Sequence, residues 1–136
     1  MIPSREKILA KIPDYAVDIE PIAGDITVRY GETIIAETKG AETKGADPKV
    51  AYLVRETRHA DVIYLPREAL RDEYFSPTDH STYCPFKGHA NYWQLKIGDL
   101  IEDNIVWSYE HPYDEVQALK DYVSFYTDRT EIDVRP

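Results

Sequence analysis

Short runs in which apolar and polar residues alternate, each closed by turn-forming residues, constrain this chain more than any other feature. In "DITVRY" (25–30), Ile26, Val28 and Tyr30 fall on one side, with Asp25, Thr27 and Arg29 on the other. A period of two is the mark of a strand with one buried face. Gly31 and Glu32 then make a short turn and "TIIAET" (33–38) returns, so a hairpin is expected. The same pattern runs through "KVAYLVRE" (49–56), where Val50, Tyr52 and Val54 alternate, and through "ADVIYL" (60–65). In "ANYWQLKI" (90–97), Asn91, Trp93, Leu95 and Ile97 oppose Ala90, Tyr92, Gln94 and Lys96. "NIVWSY" (104–109) puts Ile105, Trp107 and Tyr109 on one side, and strands over 122–127 and 131–134 finish the series.

Helical signals are few and short. Residues 4–12 offer a helix with Ser4 as its cap, stopped by Pro13. Residues 66–74 start with a proline at the first helical position, and 113–122 offer a turn or two with Asp114 as cap. Seven to nine strands in meander order predict a mainly β fold: a single small domain of antiparallel sheets, sandwich or open barrel, with one or two short helices.

At 136 residues the chain has room for one domain, 1–136, able to bury its own core. Residues 1–16 are expected to be an N-terminal extension and 37–48 a loop insertion, where "ETKGA" at 37–41 is repeated at 42–46. Loops accept such lengthening at small entropic cost. The net charge of −9, from 25 acids and 16 bases, excludes the clustered cations that nucleic acid demands and disfavours an anionic membrane. One cysteine forms no internal disulfide, the N-terminus lacks a secretory signal, and no apolar run approaches the ~20 residues of a membrane span. A cytoplasmic protein is expected.

The chemistry gathers in one stretch. "SPTDHSTYCPFKGH" (76–89) has turn residues throughout and holds the sole cysteine. Cys84 is a candidate nucleophile, with His80 or His89 as proton partner and the nearby Lys87 as a cation favouring thiolate. His80, Cys84 and His89 also supply zinc-type ligands, with His59 or His111 as a fourth, but their spacing matches no common zinc pattern. The third arrangement is a ligand pocket in which Lys87 and Gly88 hold an anionic or carbonyl group. Its walls are Phe86, Tyr92, Trp93, Trp107 and Tyr109, with Tyr83 beside them. The common phosphate-binding loops, the hydrolase elbow and the zinc-protease helix motif are absent.

"VIYLPREAL" (62–70), "STYCPFKGHANYW" (81–93), "VWSYEHP" (106–112) and "YVSFYTDRTEIDV" (122–134) together resemble the bacterial family called domain of unknown function 427, also labelled nucleotidyltransferase-like. The likeness runs from about residue 17 onward. It implies a small fold similar to the β-tent, or Mss4-like, group, which includes zinc-binding proteins, a ligand-binding domain with an aromatic cage and cysteine-using methionine sulfoxide reductases. The zinc pairs of that group are missing, and no Gly-Ser turn precedes an Asp-x-Asp metal pair as nucleotidyl transfer would need. The leading expectation is a small-molecule-binding domain around the Cys-Pro-Phe-Lys-Gly turn. A thiol-dependent enzyme and a protein-interaction module are the alternatives, with cofactor and oligomeric state open.

Overall fold

The computed structural model describes residues 16–22, 24–38, 50–57 and 60–135. They form ten strands: β1 (Val17–Ile22), β2 (Asp25–Tyr30), β3 (Thr33–Thr38), β4 (Ala51–Glu56), β5 (Val62–Pro66), β6 (Phe75–Cys84), β7 (Gly88–Ile97), β8 (Leu100–Ser108), β9 (Tyr122–Phe125) and β10 (Glu131–Arg135). A seven-stranded sheet runs β1-β4-β5-β9-β8-β7-β6 and a three-stranded sheet runs β10-β2-β3. Every named strand pair is antiparallel. The expected hairpin of 25–30 and 33–38 forms around Gly31, whose φ of +60° suits a residue without a β-carbon.

Alternation divides the buried residues between two layers. Ile26, Val28 and Ile35 of the small sheet meet Leu65, Trp93, Leu95, Val106, Val123 and Phe125 of the large one. Their sequence neighbours Tyr64, Tyr92, Trp107 and Tyr122 point to the far face, where Val116 and Leu119 cover part of them. Each central strand of the large sheet is thus apolar on both faces, as a strand packed on two sides must be.

Three bulges break the period. Between Val28/Ala36 and Arg29/Ile34 the pairing skips Ile35, so Ile35 and Ala36 are both fully buried. Between Trp93/Val106 and Leu95/Glu102, β8 carries two extra residues, and Asn104 there has φ of +56°. That kink corrects the expected side of Ile105. It lies with Val106 between the sheets, whereas Trp107 and Tyr109 face the other way. The third bulge lies in β6, between Pro77 and Ser81, and Thr78 Oγ1 donates from it to Asn104 Oδ1 at 2.7 Å.

β6 is itself a correction, because 76–89 reads as turns throughout. Phe75–Cys84 instead form a strand that pairs with β7 as the sheet's edge, where Pro77 costs no interior hydrogen bond. β1, the other edge, likewise holds a proline, Pro21. The expected helix at 66–74 forms two 3-10 turns, Arg67–Ala69 and Asp72–Tyr74, split at Leu70, which bridges to Ala36. Nine residues are too few to sustain an isolated helix against such a tertiary bond. Asp114 starts a 3-10 segment, Asp114–Leu119, without capping it by its side chain. The helix expected at 4–12 and most of the duplicated segment lie outside the described residues. Among the described residues no helix is long and apolar enough to cross a membrane.

Candidate functional site

The site begins at the tip of the β6–β7 hairpin. Cys84 pairs with Gly88, and Lys87 N–H donates back to the Cys84 carbonyl at 3.2 Å, closing a turn over Pro85 and Phe86. The bond between Cys84 and Pro85 is trans. Gly88 takes φ of +115°, and a β-carbon there would sit 3.2 Å from the His111 carbonyl oxygen. Only glycine lets the tip lie this close to residues 111–113. Tyr113 N–H donates to the Lys87 carbonyl at 3.0 Å, and the Tyr83 and Tyr113 hydroxyls meet at 2.6 Å.

So fastened, the tip directs Lys87 inward. Its ammonium is hydrogen-bonded to the carboxylate of Glu56, at the end of β4, and lies 5.9 Å from the centre of the Tyr109 ring. The two side chains are only 10% and 8% exposed. β4 and β7 are four strand spacings apart, about 19 Å in a flat sheet. No lysine and glutamate span that distance, so the large sheet must curl around its far face. It stays open, since β1 and β6 remain edges.

The concave side of this curl holds a cavity of about 440 Å³. Cys84, Phe86, Lys87, Tyr92, Trp107 and Tyr109, all singled out in the sequence, line it, together with Tyr64, Tyr83, Tyr126 and Glu56. Trp107 Nε1 donates to the Tyr64 hydroxyl at 3.1 Å with the rings edge-on, and Trp107 rests on Tyr126 at 4.8 Å. Burial pushes the phenols of Tyr64 and Tyr109 well above their ordinary range, and raises Tyr126 as well. They stay protonated at neutral pH and offer uncharged hydroxyls. Among the described residues, Glu56 and Lys87 are the only ionic side chains in the lining. A second cavity of about 290 Å³ shares Trp107 and Tyr126 with the first and reaches toward Asp61 and Asp128.

Other candidates lie elsewhere. Trp93 packs between the two sheets with the Arg67 guanidinium 5.5 Å above its ring, on the opposite side from Tyr92. Gly88 is occupied by its contact with residues 111–113 rather than by the cavity. His80 stacks on Tyr92 at 4.6 Å, and His89 stacks on Tyr83 at 4.9 Å, but neither lines the cavity. Cross-strand pairing sets His89 opposite Tyr83, one step from the pair of Cys84 and Gly88, so alternation turns it away from the sulfur. Among the described residues no three His, Cys, Asp or Glu side chains are placed to hold a metal, and His59 lies outside them.

With this geometry in view, the chain's sequence matches the family described as domain of unknown function (DUF427) over residues 18–135. The chain belongs to the DUF427 family. No curated protein matches it. For this DUF427 chain the lining residues that the sequence reading missed include Glu56, Tyr64 and Tyr126, and Glu56 is the one that carries charge. The signal was present: Val50, Tyr52 and Val54 alternate toward one side, and the next position in that series is an acid. Tyr64 was equally findable, as the inward partner of Val62 in β5.

Proposed function

We propose that the chain is a small-molecule-binding domain whose ligand occupies the cavity on the concave side of the large sheet. The observation that carries this reading is the buried ion pair of Lys87 and Glu56 in a wall otherwise made of aromatic and apolar side chains. Stability alone gives no reason for it, because a well-packed apolar pair serves a fold as well or better. A concave apolar cavity with a few convergent polar groups is the common form of a ligand site, and 440 Å³ is within the usual range. The lone thiol, outside any disulfide, suits a reducing cytoplasm.

The presence of Cys84 in the same cavity favours a thiol-dependent enzyme as the second reading. Its weakness is the proton partner. His80 and His89 do not line the cavity, and the phenol of Tyr109 is held protonated by its burial and so is a donor rather than a base. Binding is the better supported function. A thermal-shift screen of metabolites tests it: hits should raise the melting temperature, and Trp107→Leu, which removes a wall, should abolish the shift. A broad screen without a hit would end the proposal.

A further inference from the structure

Lys87 carries a primary amine into the cavity, and binding alone makes no use of that nucleophile. If the cavity is the ligand site, as proposed above, three features suit this amine to carbonyl chemistry. Its nitrogen is hydrogen-bonded to the Glu56 carboxylate, so a proton can leave and return across a single hydrogen bond. Tyr109 has its ring centre 5.9 Å from that nitrogen and keeps its phenol proton because burial raises its pKa, so it is an O–H donor for a carbonyl oxygen. Tyr64, Tyr92 and Trp107 wall the space with ring surface, which holds water back from a C=N bond once it has formed. The backbone fixes the amine in place, since the Lys87 carbonyl accepts from Tyr113 N–H at 3.0 Å.

We infer that Lys87 captures a ring-bearing aldehyde or ketone as a protonated imine, with Glu56 carrying the proton. Glu56 takes one proton from the ammonium, and the freed electron pair attacks the carbonyl carbon. The C=O π pair moves onto oxygen, which takes a second proton from nitrogen to give a neutral carbinolamine. Glu56 then returns its proton to the hydroxyl. The C–O bond breaks, the nitrogen pair closes the C=N bond, and water leaves. The nitrogen is cationic before and after capture, so its pairing with Glu56 survives and the charge of the cavity does not change.

Benzaldehyde with cyanoborohydride tests this, because hydride reduces the imine to a stable benzylamine that peptide mass mapping locates. At neutral pH and short times Lys87 should be labelled about tenfold or more ahead of the exposed Lys96 and Lys120. Benzyl alcohol, the same ring without the carbonyl, should compete and slow the labelling of Lys87 alone. Lys87→Arg keeps a cation for Glu56 but forms no imine, and its Lys96 and Lys120 should be labelled at wild-type rates. Glu56→Gln should slow the labelling of Lys87, since the hydroxyl then leaves without its acid, and an unchanged rate would overturn the part given to Glu56. Label on Lys96 and Lys120 with Lys87 untouched would overturn the imine. The indole N–H signal of Trp107 separates the failures. If benzyl alcohol moves it while Lys87 stays unlabelled by benzaldehyde, the pocket stands and the amine chemistry falls. If the signal holds still and Lys87 is unlabelled, both fall.

Discussion

Lys87 and Glu56 stand 31 residues apart in the chain and four strands apart in the large sheet, yet their side chains are bonded and buried. The contact closes the hairpin tip over the concave face and gives the cavity one of its walls. Lys87→Ala and Glu56→Ala each break this buried pair and should cost about 3–5 kcal/mol in urea unfolding. The double variant Lys87→Met with Glu56→Leu should recover most of that loss. A loss below about 1 kcal/mol from the single variants is what a solvated surface pair would give, and would contradict this placement.

Gly88→Ala adds a β-carbon 3.2 Å from the His111 oxygen at a backbone angle that side chains seldom adopt. The expected cost is about 1–3 kcal/mol, accompanied by weaker ligand binding as the tip lifts from residues 111–113. Chemical unfolding and calorimetry on the same variant check both effects. Unchanged affinity would separate the tip from the site.

Much of the fold is legible because alternation is a direct consequence of strand geometry. Trp93 shows both the strength and the misuse of that rule. It follows Tyr92 in one strand, so the two cannot share a face, and only Tyr92 reaches the cavity. Ile105 fails for another reason: the bulge at Asn104 adds residues whose pairing depends on the neighbouring strand. β6 is hidden because an edge strand rich in Ser, Thr and Asp buries little and has the composition of a loop. The curl that joins Glu56 to Lys87 is the least legible feature, since it depends on the twist of the whole sheet.

Stability should fall at alkaline pH. The Tyr122 hydroxyl donates to the Val50 carbonyl at 2.7 Å, and burial pushes its pKa up to about 12. Burial raises Tyr64 and Tyr109 too. In the unfolded chain a phenol ionises near pH ~10, so the contribution of these groups is complete below that value and is lost as pH rises toward the folded values. Unfolding free energies measured from neutral pH upward should be flat at first and then decline. Tyr122→Phe should soften the decline, and a flat profile throughout would argue against buried phenols.

Cys84 reports on the cavity without having to be a catalyst. It lines the space and is only partly buried, so iodoacetamide should modify it in the folded protein. Filling the cavity with a bound fragment should slow that reaction in proportion to occupancy. An unchanged rate at saturation would place the fragment elsewhere.

The two tryptophans provide the most direct measurement. Trp107 lines the cavity with its indole N–H on Tyr64, and Trp93 is 8% exposed between the sheets. Nitrogen–proton correlation spectra recorded while small aromatic fragments are titrated should show the Trp107 indole signal moving with saturable dependence while the Trp93 signal holds still. If no fragment moves Trp107, or if Trp93 moves and Trp107 does not, the concave cavity is not the ligand site.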